Sequence, residues 1–312
     1  STDEPQSRDV FAMDTYMTLT AYGDNAENAL DKAEAEIERL DNLLSTGDGN
    51  SEIYALNQNG TGTILDESEK LYTDTDGVFD ITIYPVMDAW GFTTQNYRIP
   101  SEEELKGLLE NVNASKIQYD KASKKVALPA GVKIDFGGIA KGYTSSRIMG
   151  IYKKCGVTSG MVSLGGNVQL LGAKPDGSFW RVAVQSPDDT NDYLGVLEAE
   201  DKAVITSGGY ERYFEENGKI YHHIIDPATG YPAENGLKSV TIVSDDGTLA
   251  DGLSTSLFIM GKDKACDFWK EHSDKFDMIL MTDDNELYVS EGIADVFSSD
   301  LTTNIVKKLS EK

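Results

Sequence analysis

Apolar residues recur at Ala26, Leu30, Ala33, Ile37, Leu40 and Leu44 with acidic residues between them, a spacing that predicts an amphipathic helix opening near Asp24. Ahead of it, Val10 to Gly23 alternates and is rich in β-forming residues, so a strand or hairpin is expected there. The turn-rich stretch Ser45 to Ser51 ends the helix. Residues 65–75 read as a short acidic helix, and Gly77 to Phe92 (GVFDITIYPVMDAWGF) as strand-like. Ser101 with Glu104 forms a capping box for another short helix. KIQYD and KKVALP read as a hairpin around Lys121-Ala122-Ser123.

The pattern changes at Lys133. KIDF reads as a strand, Gly137-Gly138 as a tight turn, and IAKGYTSSRIMGIYKKCG as a helix stopping at Gly156. Strand-like pieces follow at MVSLGGNVQLLG, FWRVAVQSP, YLGVLEAE, KAVITSGG, KIYHHIID and LKSVTIVS. A helix from Thr248 through Met260, another from Asp263 and a hairpin around Asp283-Asp284-Asn285 complete the series. Strands outnumber helices and are mostly hairpin-linked, which predicts an α+β fold of largely antiparallel sheets with flanking helices. No repeat, low-complexity tract or long linker divides the chain. Residues 10–312 read as one domain, and residues 1–9 as a disordered polar leader of the kind left when an export signal is removed.

Charge narrows the function. The 312 residues carry 53 acidic and 28 basic side chains, a formal net charge of -25, which repels nucleic acid and anionic membrane surfaces. A bound anion therefore needs local backbone donors, a few cations or a metal. The two cysteines, Cys155 and Cys266, are too few for a disulfide framework or a CxxC zinc site and read as small buried hydrophobes.

Four segments concentrate glycine and polar chemistry where a strand hands over to a loop. Asp135-Phe136-Gly137-Gly138 precedes a helix start, whose free N–H groups and positive dipole suit a phosphate; a plain turn is the simpler account of the glycines alone, and Lys141 one turn in, a cation, is what argues for the phosphate. Ser163-Leu164-Gly165-Gly166-Asn167 interrupts an apolar strand, as a bulge or as a close approach to a ligand. In Tyr221-His222-His223-Ile224-Ile225-Asp226-Pro227, alternation puts the two histidines on opposite faces, so at most one points into a given site, and no third partner stands at zinc spacing. In Ala250-Asp251-Gly252-Leu253-Ser254-Thr255, Asp251 and Thr255 share a helix face and offer hard oxygens suited to magnesium or calcium; the plainer alternative is that Asp251 caps the helix and Thr255 packs. Together the four suit metal-assisted phosphoryl transfer.

Read in order, these segments resemble the ApbE family of FAD:protein FMN transferases. The likeness runs from about Met13 to Gly261 through AMDTYMT, LDNLLST, GVFDITIYPVMDAWGF, DFGGIAKGY, SLGGN, TSGGYERYF, YHHIIDPATGYP and ADGLSTSLFIMG. The resemblance implies a T-fold-like α+β domain with FAD in a central cleft and Mg2+ bridging its pyrophosphate to the carbonyl of Gly138 and to Asp251 and Thr255. It implies flavin and adenine contacts at Met13, Phe79-Asp80-Ile81, Asp135, Lys141, His223 and Ile225, with Ser207 and Gly208 as weaker candidates. The implied reaction is transfer of FMN from FAD to a Thr or Ser hydroxyl of a target flavoprotein, with release of AMP. Lys141 and Asp251 would act on the pyrophosphate, and His223 would be the base. Family members are usually exported and often lipid-anchored, so an extracytoplasmic location is expected, with acceptors in membrane redox complexes or secreted flavoproteins. Two positions depart from the family pattern. Ser254 stands where some members carry a further carboxylate, which puts a second metal in doubt. Gly47, before Asp48-Gly49-Asn50, stands where many relatives place an aromatic over the flavin. A more open site would favour hydrolysis of FAD to FMN and AMP, unless Tyr54 or Trp90 covers the gap. A non-catalytic FAD-binding lipoprotein is the alternative from another class.

Overall fold

The computed structural model describes residues 4–44, 63–123 and 125–308. A hairpin opens the chain: β1 (Gln6–Ala12) pairs antiparallel with β2 (Thr15–Ala21) across Met13 and Asp14, both at positive φ, the conformation of a two-residue hairpin turn. The ladder starts at Gln6, so residues 6–9 belong to the sheet and not to a loose leader. Helix α1 (Ala26–Leu44) follows the predicted period, its buried positions including Ala26, Leu30, Ala33, Ile37, Leu40 and Leu44. Residues 45–51, where the turn is expected, lie outside the described residues together with Gly47 and Tyr54.

Helix α2 (Thr63–Asp74) covers the expected acidic helix. The stretch read as strand-like is instead a 3-10 turn at Ile81–Ile83 running into α3 (Tyr84–Trp90). Asp80 caps the 3-10 turn through the Thr82 N–H, and Pro85 stands in the first turn of α3, where a missing N–H costs nothing. The β-branched run Ile81-Thr82-Ile83 masked those helical signals. Helix α4 (Glu102–Leu109) is capped by Ser101, whose Oγ accepts from the Glu104 N–H at 3.1 Å. Strands β3 (Gln118–Asp120) and β4 (Lys125–Ala127) form the expected small hairpin. Residues 133–136 form no strand, contrary to the KIDF expectation.

Helix α5 (Ala140–Lys154) leads to β5 (Gly160–Leu164) and β6 (Asn167–Leu171). Gly165 and Gly166, at φ +58 and +98, form the two-residue turn between β5 and β6. Of the roles considered for SLGGN, neither a bulge nor a ligand approach is needed; glycine takes positive φ at no steric cost, and Gly-Gly is one of the pairs such a turn favours. Then come β7 (Trp180–Gln185), β8 (Tyr193–Ala199), β9 (Ala203–Gly208), and a hairpin of β10 (Tyr213–Glu216) with β11 (Lys219–His222). Strand β12 (Leu237–Ser244), α6 (Gly247–Met260), α7 (Lys262–His272), β13 (Asp277–Thr282), β14 (Leu287–Ser290), β15 (Phe297–Ser298) and β16 (Thr303–Val306) complete the fold.

Nine strands make one sheet in the order β1-β2-β5-β6-β9-β12-β13-β14-β16, antiparallel except for the β14–β16 pair. Period-two alternation sorts its side chains. Ile205, Val240, Ile242 and Leu280 face α6 and α7, where Leu253, Leu257 and Trp269 are buried. Val204, Val243, Ile279 and Met281 face the second, three-stranded sheet β15-β8-β7 with Trp180, Val182 and Leu197. Toward β1 the helical layer continues as α1 and α5, with Ile37, Ile148 and Tyr152 over Met17, Leu19 and Val162. The antiparallel α+β arrangement follows the sequence expectation. Cys155 ends α5 and Cys266 lies on α7; both are free and half-buried rather than fully buried.

Candidate active site

The starts of α5 and α6 meet at close range. A β-carbon on Gly142 would lie 2.1 Å from the Gly247 carbonyl oxygen and 2.6 Å from Asp251 Cβ, so only glycine admits the contact. Through it the Gly142 N–H donates to Asp251 Oδ2 at 2.9 Å. An N–H of the first turn of α5, which has no partner within its own helix, is thus capped from the neighbouring helix. Asp251 does not cap α6; Asp246 does, accepting from the Thr248 and Leu249 N–H groups. Asp251 is 9% exposed, and burial pushes its carboxyl up to about 7, against the Gly142 hydrogen bond and the charge of Lys141. One turn on, the half-buried Thr255 donates its hydroxyl to the Gly252 carbonyl at 3.2 Å.

The turn before α5 completes this corner. Asp135 donates its N–H to the Ile81 carbonyl at 3.0 Å and accepts from the Gly137 N–H through Oδ1 at 3.1 Å. Burial raises the Asp135 carboxyl, and Arg212 opposes the rise. Gly137 and Gly138 are exposed, and the Phe79 ring packs so closely that a β-carbon on Gly138 would meet it at 3.2 Å. Phe79, Ile81, Asp135, Gly138, Lys141 and Asp251 therefore belong to one corner. Met13 joins it from the first hairpin turn, its sulfur 3.7 Å from Thr144 Oγ1 in α5.

The two histidines separate as alternation requires. His222 Nδ1 accepts from the Ile224 N–H at 3.1 Å, so its proton is on Nε2, 2.8 Å from the Ala233 carbonyl, and both nitrogens are used within the fold. The His223 ring is 18% exposed, with Nδ1 enclosed and without a partner and Nε2 3.8 Å from Glu211 Oε2. Burial, then Arg212 and His222, push His223 down to about 3, so the ring is neutral at pH 7.

Other candidates serve the fold. The Asp80 carboxylate accepts from Thr82 N at 2.8 Å, Thr82 Oγ1 at 2.5 Å and Ala114 N at 3.2 Å, so its contribution to the corner is to set the backbone between Phe79 and Ile81. Ile225 is buried with Val86, Trp90, Phe92 and Leu105. Ser207 and Ser254 are buried against each other at 2.7 Å, and Ser254 also donates to the Asp251 carbonyl. Gly208 lies tight against Tyr210 and the Lys238 carbonyl. Trp90 is fully buried with its indole N–H on the Gly230 carbonyl at 2.8 Å, so it does not cover a gap over the flavin. The sequence reading missed Glu211 and Arg212. Their signal is in TSGGYERYF, where adjacent opposite charges follow a glycine pair at a strand end.

Comparison with known proteins identifies the family and the fold. The ApbE family pattern matches residues 13–280. An FAD:protein FMN transferase of Haemophilus influenzae is 31% identical over 277 residues, covering 83% of this chain and 80% of that protein. That of Treponema pallidum is 29% identical over 293 residues, covering 86% and 80%. Among solved structures, the ApbE protein of Thermotoga maritima superposes with a TM-score of 0.86 at 31% identity, covering 94% of this chain and 99% of the other. The flavinyl transferase ApbE of Pseudomonas stutzeri does so at 0.82 and 26%, covering 96% and 98%. With a match over most of its length and the same fold, the chain belongs to the ApbE family.

Proposed function

We propose that this protein is an FAD:protein FMN transferase, which moves FMN from FAD onto a threonine or serine hydroxyl of a target protein and releases AMP. One observation carries the reading. An accessible glycine turn at a helix start, a lysine and a buried, under-paired aspartate converge at one corner, with a neutral histidine on an adjoining loop. The curated relatives named for this activity support the same reaction class.

The exposed Gly137-Gly138 turn at the positive end of α5 receives the pyrophosphate, and Lys141 supplies a cation that the acidic chain otherwise withholds. The acceptor oxygen forms a bond to the FMN-side phosphorus as the bond to the AMP oxygen breaks, and AMP leaves as the anion. His223, neutral at pH 7, takes the hydroxyl proton.

The donor set fits a hard divalent cation. Asp251 is a buried carboxylate with one hydrogen-bond donor, Thr255 follows on the same face, and Gly138 presents its carbonyl in the exposed turn. These three residues would hold Mg2+, which supplies charge neutralisation on the pyrophosphate. With Ser254 engaged by Ser207 and Asp251, one metal is the reading for this chain. Export with a lipid anchor, and an acceptor in a membrane redox complex or a secreted flavoprotein, belong to the same proposal on the family resemblance; cell fractionation tests the location.

Incubating the protein with FAD, Mg2+ and a threonine-bearing peptide should yield FMN-peptide and AMP. Free FMN in place of FMN-peptide would make it an FAD hydrolase, and unchanged FAD a binding protein.

A further inference from the structure

We infer that Glu211 is the positioning residue of His223, the counter-charge that lets this buried imidazole hold the proton taken from the acceptor hydroxyl. The inference rests on the reading of His223 as the base. Among the described residues, Glu211 is the carboxylate within 4 Å of that ring, its Oε2 standing 3.8 Å from Nε2. The charges of Arg212, His222 and Lys141 at the start of α5 disfavour a second proton on the ring, and, Glu211 apart, only the backbone carbonyl of Arg212, which also accepts the His223 backbone N–H at 3.1 Å, acts the other way. Phe92 closes the ring off edge-on at 6.4 Å between centroids. Without a counter-charge, His223 is a poor acceptor near neutral pH.

The geometry fixes the side on which the proton enters. Nδ1 is enclosed and without a partner, whereas the Glu211 side chain is 39% exposed beside Nε2. The ring's own proton then sits on Nδ1, and the hydroxyl proton arrives at Nε2, facing Oε2. Proton transfer takes the His223–Glu211 pair from net charge -1 to zero while the oxygen–phosphorus bond forms and AMP departs. Glu211 is itself held between Lys141 and Arg212, which favour its ionised form, and Asp251, which opposes it; burial leads, and its carboxyl is pushed up to about 7. Two such neighbours titrate as a unit. The wider separation than a hydrogen bond is usual for a catalytic pair before substrate fills the site.

The test compares Glu211→Gln, Glu211→Asp and His223→Ala, measuring FAD affinity by flavin fluorescence and transfer to a threonine peptide across pH 5–9. Glu211→Gln should bind FAD within about threefold of wild type but lose on the order of 10²-fold in kcat. It should also lose the rise in kcat with pH that the pair confers, because the pair must be deprotonated to accept the hydroxyl proton. Glu211→Asp should recover about a tenth of the activity or more. Wild-type kcat and pH profile in Glu211→Gln, beside an inactive His223→Ala that still binds FAD, would overturn the inference and leave the base assignment standing. Full transfer by His223→Ala would remove the base assignment, and the inference with it. Equal loss of FAD binding and thermal stability in both Glu211 variants would reduce Glu211 to a folding role.

Discussion

Two buried aspartates near the same corner have opposite circumstances. Asp80 is 7% exposed and accepts from three donors, two on Thr82 and one on Ala114. Asp251 is 9% exposed and accepts from one, the Gly142 N–H. Burial raises both carboxyls, but hydrogen bonds from Thr82 and Ala114 counter the rise at Asp80 more fully than Gly142 and Lys141 do at Asp251. A satisfied buried acid is a clasp: it ties the 3-10 turn to the loop at Ala114 and holds the backbone that presents Phe79 and Ile81. An under-paired one stores capacity for a cation. Similar burial therefore gives one residue a role in stability and the other a role in chemistry.

Substitution should pull the two apart. Asp251→Ala is expected to abolish Mg2+-dependent FMN transfer, by 10³-fold or more on the order of a lost metal ligand, while the melting temperature stays near wild type. Full activity of this variant in the presence of a chelator would end the metal assignment. Asp80→Ala should do the reverse. Leaving buried donors of Thr82 and Ala114 without an acceptor costs about 2–4 kcal/mol, read as a fall of roughly 3–6 °C in the melting temperature, and residual folded protein should keep its kcat. A thermally normal Asp80→Ala with no activity would turn the comparison around.

A smaller effect sharpens it with a third acid. Glu67, on α2 beside the Asp246 cap, has a buried Oε2 without a hydrogen-bond partner, and burial with the charge of Asp246 pushes it up to about 7. Its folded value lies above its unfolded value of 4.5. Its contribution to stability is thus complete below pH 4.5 and lost as pH rises through 7. Glu67→Gln should therefore gain about 1–2 °C on wild type between pH 5 and pH 8 in thermal denaturation, the half-exposed side chain keeping the effect small. Activity should not change. A constant difference across that range would mean that Glu67 is not titrating there.

The helical period of α1, the capping box at Ser101, the β3–β4 and β13–β14 hairpins and the opposite faces of His222 and His223 were all legible in the residues, because each is a local rule of spacing. Gly77 to Phe92 was misread because β-branched residues in Ile81-Thr82-Ile83 argue for strand, whereas Asp80 and Pro85 fix a helical start. SLGGN was read as interrupted strand because a glycine pair inside an apolar run marks a bulge as readily as a hairpin turn, and the positive φ of Gly165 and Gly166 decides for the turn. Trp90 was offered as a flavin cover on its chemistry, and its indole is committed to Gly230 across a long stretch of chain. No spacing rule reports such a partner.

By itself the sequence determined which residues could do chemistry: a lysine after a glycine turn, one usable histidine of an adjacent pair, and two oxygens on one helix face. Those follow from side-chain type and from helix and strand periods. Only the tertiary structure decided that Asp251 caps a helix other than its own, that Asp80 is already satisfied, and that Glu211 stands beside His223. Each depends on contacts between segments distant in sequence, where burial and the number of available donors, rather than residue identity, set what a carboxylate can do.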